Sequence, residues 1–148
     1  MSAAKQRVPA IEGWFRMDEA EPRLLGVRCR TCRTCYFPKE AFCRNPSCGG
    51  AELEEVPLSR RGRLWSWTDN RYAPPPPFVA KEPFEPYTVA AVELEAEKMV
   101  VLGQVVAGVD ATRFRVGQEM ELVLDTLFED EARQYVVWKW RPVRSIAA

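Results

Sequence analysis

The run Cys29-Arg30-Thr31-Cys32-Arg33-Thr34-Cys35-Tyr36-Phe37-Pro38-Lys39-Glu40-Ala41-Phe42-Cys43-Arg44-Asn45-Pro46-Ser47-Cys48-Gly49-Gly50 carries all five cysteines of the chain within twenty residues. In a small secreted protein such density would indicate disulfides, but the count is odd and no export signal accompanies it. Clustered cysteines in a cytosolic chain more often bind metal. A tetrahedral site needs four thiolates converging on one ion, and two cysteines separated by a tight turn supply two of them from one knuckle. Cys29 and Cys32 have that spacing. Cys43 and Cys48 form a looser second knuckle, in which Pro46 fixes the bend and Gly49-Gly50 lets the chain fold back beneath the sulfurs. The whole reads as a zinc ribbon. Cys32 and Cys35 share the knuckle spacing, so spacing alone leaves the register open. The triplet Cys29, Cys32, Cys35 also invites comparison with a bacterial ferredoxin run, but seven residues precede the next cysteine and Arg44, not proline, follows it. An iron–sulfur cluster is thereby disfavoured, while mononuclear iron in four thiolates stays an alternative. Cys35 is expected to be a small half-buried thiol beside Tyr36 and Phe37, since no nearby base would activate it.

Upstream, Pro9, Ile11, Trp14, Phe15 and Leu24-Leu25 have helical spacing among charged residues, which predicts a helical arm within residues 1–26. Trp14 and Phe15 on that arm are candidate anchors for a partner. The ribbon is expected over 27–57 and a second domain over 58–148. From Arg61-Gly62 onward the apolar period becomes two. Strands are predicted from Arg63 to Tyr72, with Trp65 and Trp67 on one face, from Tyr87 to Glu95, and from Met99 to Val106, where Gly103 marks a bulge or bend. Asp110 to Val116 reads as one or two helical turns capped by Asp110. Strands follow from Glu119 to Asp125 and from Gln134 to Arg141, the last with Val136, Trp138 and Trp140 on one face. Five strands with a short helix between the third and fourth match the order of an OB-fold, giving a mainly β chain with a five-stranded barrel. Between the first two strands lies Ala73-Pro74-Pro75-Pro76-Pro77-Phe78, a stiff extended loop lined by Tyr72, Phe78, Phe84 and Tyr87. OB-folds bind ligands through loops at this end, so Tyr72, Pro75, Pro76 and Phe78 are candidate recognition residues.

The chain of 148 residues, 47% hydrophobic and 28% charged, has room for one ordinary domain or two small ones. It contains no histidine, which excludes Ser-His and Cys-His nucleophile systems, histidine metal ligands and histidine acid–base chemistry. Formal charge is zero, but Met1 to Arg63 holds twelve basic and eight acidic residues, whereas Leu64 to Ala148 holds nine and thirteen. The basic half suits an anionic ligand or acidic partner surface; the acidic half is a poor nucleic-acid surface. The longest apolar stretch, Met99 to Val109, is interrupted by Gln104 and too short to span a bilayer. A cytoplasmic location with no membrane contact is expected.

Leu25-Gly26-Val27-Arg28-Cys29-Arg30-Thr31-Cys32, Phe37-Pro38-Lys39, Cys43 to Cys48-Gly49 and Gly62-Arg63-Leu64-Trp65-Ser66-Trp67-Thr68 resemble a family in which a rubredoxin-like zinc ribbon precedes an OB-fold. Glu12-Gly13-Trp14-Phe15, Phe114-Arg115-Val116-Gly117 and the final strand running into Arg141-Pro142 fit it as well. Members accompany thiolases and related acyl-CoA condensing or cleaving enzymes, and the nearest in motif accompany thiolysis of benzoylsuccinyl-CoA in anaerobic toluene breakdown. The resemblance implies one structural zinc ion held by Cys29, Cys32, Cys43 and Cys48, with Cys35 extra. Two features depart from the family pattern: Arg33 stands where many relatives have glycine, and four residues rather than two separate the second cysteine pair. The resemblance also implies a non-catalytic subunit, consistent with the lack of histidine, in a heterotetramer built on a thiolase dimer, with CoA or acyl-CoA as a ligand of the complex. Arg28, Arg30, Arg33, Lys39 and Arg44 would then meet CoA phosphates or an acidic patch on the partner. Two rivals belong to other classes. One is a nucleic-acid binder stacking bases on Trp65, Trp67 or Trp138, against which the acidic barrel half speaks; the other is an electron carrier with mononuclear iron.

Overall fold

Apolar residues at every second position over Tyr87–Leu94 make a strand whose Ala90, Val92 and Leu94 are fully buried. Around it the computed structural model, which describes residues 5–18, 20–50, 52–70 and 86–143, builds a mostly β molecule. Its strands are β1 (Gln6–Pro9), β2 (Leu25–Cys29), β3 (Cys35–Tyr36), β4 (Leu53–Pro57), β5 (Arg61–Asn70), β6 (Tyr87–Leu94), β7 (Met99–Val105), β8 (Glu119–Glu129) and β9 (Arg133–Pro142). Among the described residues one 3-10 turn, Ala111–Arg113, is capped by the Asp110 carboxylate, which accepts from the Thr112 amide. Strands β9, β7, β6, β5 and β8 follow one another, and β8 returns to β9, so the sheet closes into a five-stranded barrel. The ribbon is a separate three-stranded sheet in the order β3-β2-β4.

The barrel is filled by Leu64, Val92, Leu94, Met120, Leu122, Val136 and Trp140, none more than 1% exposed. Each such side chain contributes about 1.5–3 kcal/mol by leaving water. Two core residues come from the base of the ribbon. Leu24 precedes β2 and Leu58 follows β4; both are fully buried, and the Leu58 amide donates to the Leu24 carbonyl at 2.8 Å. The ribbon therefore enters and leaves through one clamp set in the barrel core. A second joint is aromatic. Trp138 of β9 stacks on Trp14 with ring centroids 6.0 Å apart and meets Phe37 edge-on at 5.6 Å, while Trp14 and Phe37 meet edge-on at 5.4 Å.

Three expectations are corrected. The helical arm does not form: among the described residues upstream of the ribbon there is β1, paired in parallel with β9 from Gln6↔Arg133 to Pro9↔Val136, and a loop closed by an isolated Phe15↔Leu24 bridge. Gly13 sits at φ 83°, outside helical space, and the apolar residues that mimicked a helical stripe find long-range partners instead. Trp65 and Trp67 do not share a face. Trp65 follows the inward Leu64 and projects outward, 61% exposed; a register shift between Leu64 and Ser66 inserts one residue into β5 and so turns Trp67 inward, edge-on against Phe114 at 5.7 Å. Gly103 marks no bulge. It pairs regularly with Ala90, and a methyl group there would lie 2.8 Å from the Trp140 ring and 3.0 Å from Trp138 Nε1. The proline-rich loop, with Tyr72, Pro75, Pro76, Phe78 and Phe84, lies outside the described residues.

Because the two indoles are fixed by strand pairing, Gly103→Ala should overpack the core and cost about 1–3 kcal/mol. The check is the urea midpoint of the full chain, with an unchanged slope.

Candidate metal centre

Strand β2 delivers Cys29 to its own end, and the chain then turns tightly. The Arg33 amide donates to the Cys29 carbonyl and the Cys29 amide to the Thr34 carbonyl, both at 2.9 Å. This turn requires a left-handed residue, and Arg33 occupies it at φ 67°, the position at which the resemblance anticipates glycine. A non-glycine residue there costs roughly 1–2 kcal/mol. In the second knuckle the Cys48 amide donates to the Asn45 carbonyl at 2.9 Å and the Ser47 amide to Asn45 Oδ1 at 3.0 Å. The longer four-residue spacing is thus taken up by an Asx turn. Gly50 then passes so close that a Cβ would sit 2.8 Å from Thr31 Oγ1 and 3.2 Å from Cys29 Sγ.

The Sγ atoms of Cys29, Cys32, Cys43 and Cys48 all lie within 4.8 Å of one another. Cys29 and Cys48 are 3.8 Å apart and Cys32 and Cys43 3.6 Å. A tetrahedron with zinc–sulfur bonds near 2.3 Å has edges of about 3.8 Å, so the residues present fit that ion. Cys35 stands apart on β3, its thiol 3.9 Å from the Arg33 carbonyl. Burial, with Glu97 adding, pushes its pKa up, which disfavours the reactive thiolate.

The sulfurs are strongly polarised by their surroundings. The Thr34 hydroxyl, 3.2 Å from Cys32 Sγ, leads in lowering that thiol to about 6. The Cys32 amide, joined by that of Thr31, holds Cys29 below its ordinary value. At Cys48 the Gly50 amide favours the thiolate, but burial and the neighbouring sulfurs outweigh it and raise the group to about 11. Four thiolates this close repel one another unless a dication takes the place of their protons.

Two outer hydroxyls had no signal in the cysteine spacing. Besides Thr34, Tyr36 accepts the Arg44 amide at 2.8 Å and donates to Cys43 Sγ at 3.4 Å. Their only trace in sequence is a hydroxyl residue close to a cysteine. The basic residues are largely answered within the ribbon. Arg28 donates to Glu54 at 3.1 and 2.9 Å and holds that carboxyl below its usual range; Arg30 lies 3.9 Å from the same group, Arg44 3.4 Å from Glu40, and Lys39 is bonded to Glu55. Neither expected aromatic anchor is offered outward. Phe15 is 4% exposed, and Trp14 is engaged by Phe37 and Trp138.

Comparison with known proteins bears on this arrangement directly. A family profile described as the rubredoxin-like zinc ribbon domain of ChsH2 matches residues 18–54, and one described as the C-terminal OB-fold domain of ChsH2 matches residues 55–125. A benzoylsuccinyl-CoA thiolase subunit BbsA from Thauera aromatica is 33% identical over 128 residues, covering 85% of this chain and 81% of its own length. A DUF35 domain-containing scaffold protein from Pyrococcus furiosus is 32% identical over 135 residues, covering 90% and 93%. A solved structure described as an Ltp2-ChsH2(DUF35) aldolase superposes with a TM-score of 0.58 at 29% identity, over 81% of this chain and 84% of that one.

If the four convergent sulfurs hold the ion, Cys43→Ser should lose zinc and lower the thermal midpoint, whereas Cys35→Ser should keep one equivalent; equal damage from both would refute the assignment. Tyr36→Phe should keep the stoichiometry but weaken zinc retention about 10–100-fold in a chelator competition, as loss of an outer hydrogen bond does elsewhere.

Proposed function

This chain belongs to the ChsH2 family, whose domains are a rubredoxin-like zinc ribbon and an OB-fold, and on that premise we propose that it is a non-catalytic accessory subunit of a thiolase-type complex acting on an acyl-CoA. The observation that carries the proposal is the likeness, along most of both chains, to a protein named as a thiolase subunit. In this reading Cys29, Cys32, Cys43 and Cys48 bind one structural zinc ion. Four protein sulfurs fill the tetrahedral shell and leave no position for substrate or water.

Thiolysis requires a nucleophilic cysteine together with a histidine or second cysteine as base. This chain has no histidine, four of its cysteines are committed to the ion, and burial pushes the Cys35 thiol up, away from the reactive thiolate. A thiolase dimer supplies the catalytic groups, and two copies of this chain complete a heterotetramer. The reaction is thiolytic cleavage of a β-oxoacyl-CoA, benzoylsuccinyl-CoA being the compound in the name of the Thauera relative. This chain stabilises the catalytic subunit and helps complete its acyl-CoA site, with Tyr72, Pro75, Pro76 and Phe78 as contact residues. Arg28, Arg30 and Lys39 have a lesser part, because glutamates already neutralise them.

Native purification of the tagged full chain, with mass spectrometry and elemental analysis, is the test. A co-eluting thiolase-like polypeptide and one zinc per colourless chain are expected. A red, redox-active iron protein, or nanomolar salt-sensitive binding of single-stranded RNA or DNA by a chain with no thiolase-like companion, would overturn the proposal.

A further inference from the structure

The outside of the barrel carries an apolar trough across β5, β6 and β7. Ala90, Val92 and Leu94 of β6 point inward, so the alternate residues Val89, Ala91 and Glu93 point outward. Ala91 is paired with Leu102 on β7 and with Ser66 on β5, beside the inserted Trp65. Cross-strand partners project from the same face. Trp65 and Leu102 are each 61% exposed, whereas Ala91 between them is 7% exposed. The small residue is thus a floor and the two large ones are walls. Val100, 41% exposed and paired with Glu93, lengthens the Leu102 wall.

An indole and a leucine held open to water on the two strands that flank β6 are costly, and exposed apolar groups gathered on one face mark interaction sites. Trp65 points out because Leu64 before it points in, and the β5 insertion then brings Ser66 to the same outer face and turns Trp67 inward. Charge narrows the choice of occupant. At the end of the trough Glu93 is exposed and forms no hydrogen bond or ion pair among the described residues, while the neighbouring Glu95 is paired with Arg63 at 2.7 Å. The rim is therefore net negative, within a half-chain holding thirteen acidic and nine basic residues. A polyanion is repelled. A second copy meeting this face by twofold symmetry would bring two acidic rims together. A protein surface with an apolar side chain beside a lysine or arginine complements both features.

We propose that this trough docks the catalytic partner, which seats an apolar side chain over Ala91 between Trp65 and Leu102 and sets a basic side chain against Glu93. The inference rests on the accessory-subunit reading and names the surface through which it operates. Tryptophan in such a setting is the commonest kind of energetic anchor, surrounded by a polar rim that steers approach.

The test uses the full zinc-loaded chain and the thiolase-like polypeptide recovered with it, titrated against each other. Ala91→Arg fills the trough from an outward-facing position, and Trp65→Ser removes one wall. Each should weaken association about 30-fold or more, with zinc content and unfolding midpoint unchanged. Glu93→Lys should act mainly on the association rate and its salt dependence. If Ala91→Arg disturbs folding, Trp65→Ser carries the test alone. Wild-type affinity in a folded, zinc-replete Ala91→Arg or Trp65→Ser variant overturns the proposal. So does a wild-type self-association that Ala91→Arg abolishes while partner affinity is untouched. Failure of the wild type to bind any thiolase-like polypeptide instead removes the accessory-subunit reading on which the docking surface depends.

Discussion

Four sulfur anions crowded into a space 4.8 Å across repel one another strongly at any pH at which they are charged, and only a shared cation makes the arrangement favourable. Little else holds the ribbon. Among the described residues between Leu25 and Pro57 the buried apolar ones are Val27, Cys29 and Cys43, too few to pin some thirty residues by the hydrophobic effect alone. The ion's influence travels outward along a short covalent path. Tyr36 reaches a ligand sulfur through its hydroxyl, and the next residue, Phe37, plants its ring against Trp14 and Trp138. The orientation of the ribbon on the barrel is thus set at one end by thiolate geometry and at the other by three aromatic rings.

This construction suits a scaffold better than a catalyst. The Leu24–Leu58 clamp and the aromatic joint bury apolar surface on both sides of the junction, and contacts of that kind leave little freedom for relative movement. Most of the cations over the ribbon have an acidic partner, Arg28 and Arg30 sharing Glu54, Lys39 meeting Glu55 and Arg44 meeting Glu40. On the outer wall of the barrel, Trp65, Val100 and Leu102 leave large apolar side chains facing water. Rigid internal joints combined with an open apolar wall are what a subunit needs when its task is to hold another protein in shape.

Much of this was legible in the residues, for identifiable reasons. Knuckle spacing is a local geometric requirement, so the cysteine run announced the metal site. Strict alternation over Tyr87–Leu94 and over Val136, Trp138 and Trp140 gave strands whose inward faces are the observed ones. The arm upstream of the ribbon was misread because Trp14, Phe15 and Leu24 have helical spacing by coincidence, and a parallel strand against β9 is decided by residues far away in sequence. The bulge at Trp65 escaped detection because one inserted residue reverses every later side chain without altering composition. Neutralisation of the ribbon cations was hidden for a similar reason: Glu54 reaches Arg28 and Arg30, and Glu55 reaches Lys39, only once β4 has paired with β2.

Strand β1 has a temporal implication. Arg7 and its neighbour Gln134 on β9 are 127 positions apart in sequence, so a growing polypeptide leaving a ribosome at roughly 5–20 residues per second has β1 waiting about 6–25 s for its mate. Every ribbon cysteine emerges inside that interval. Metal capture can therefore precede barrel closure during biosynthesis, and a ribbon loaded in time presents a formed surface on which the late strands condense, whereas one starved of zinc leaves an unpaired strand and exposed indoles during the slowest stage of maturation.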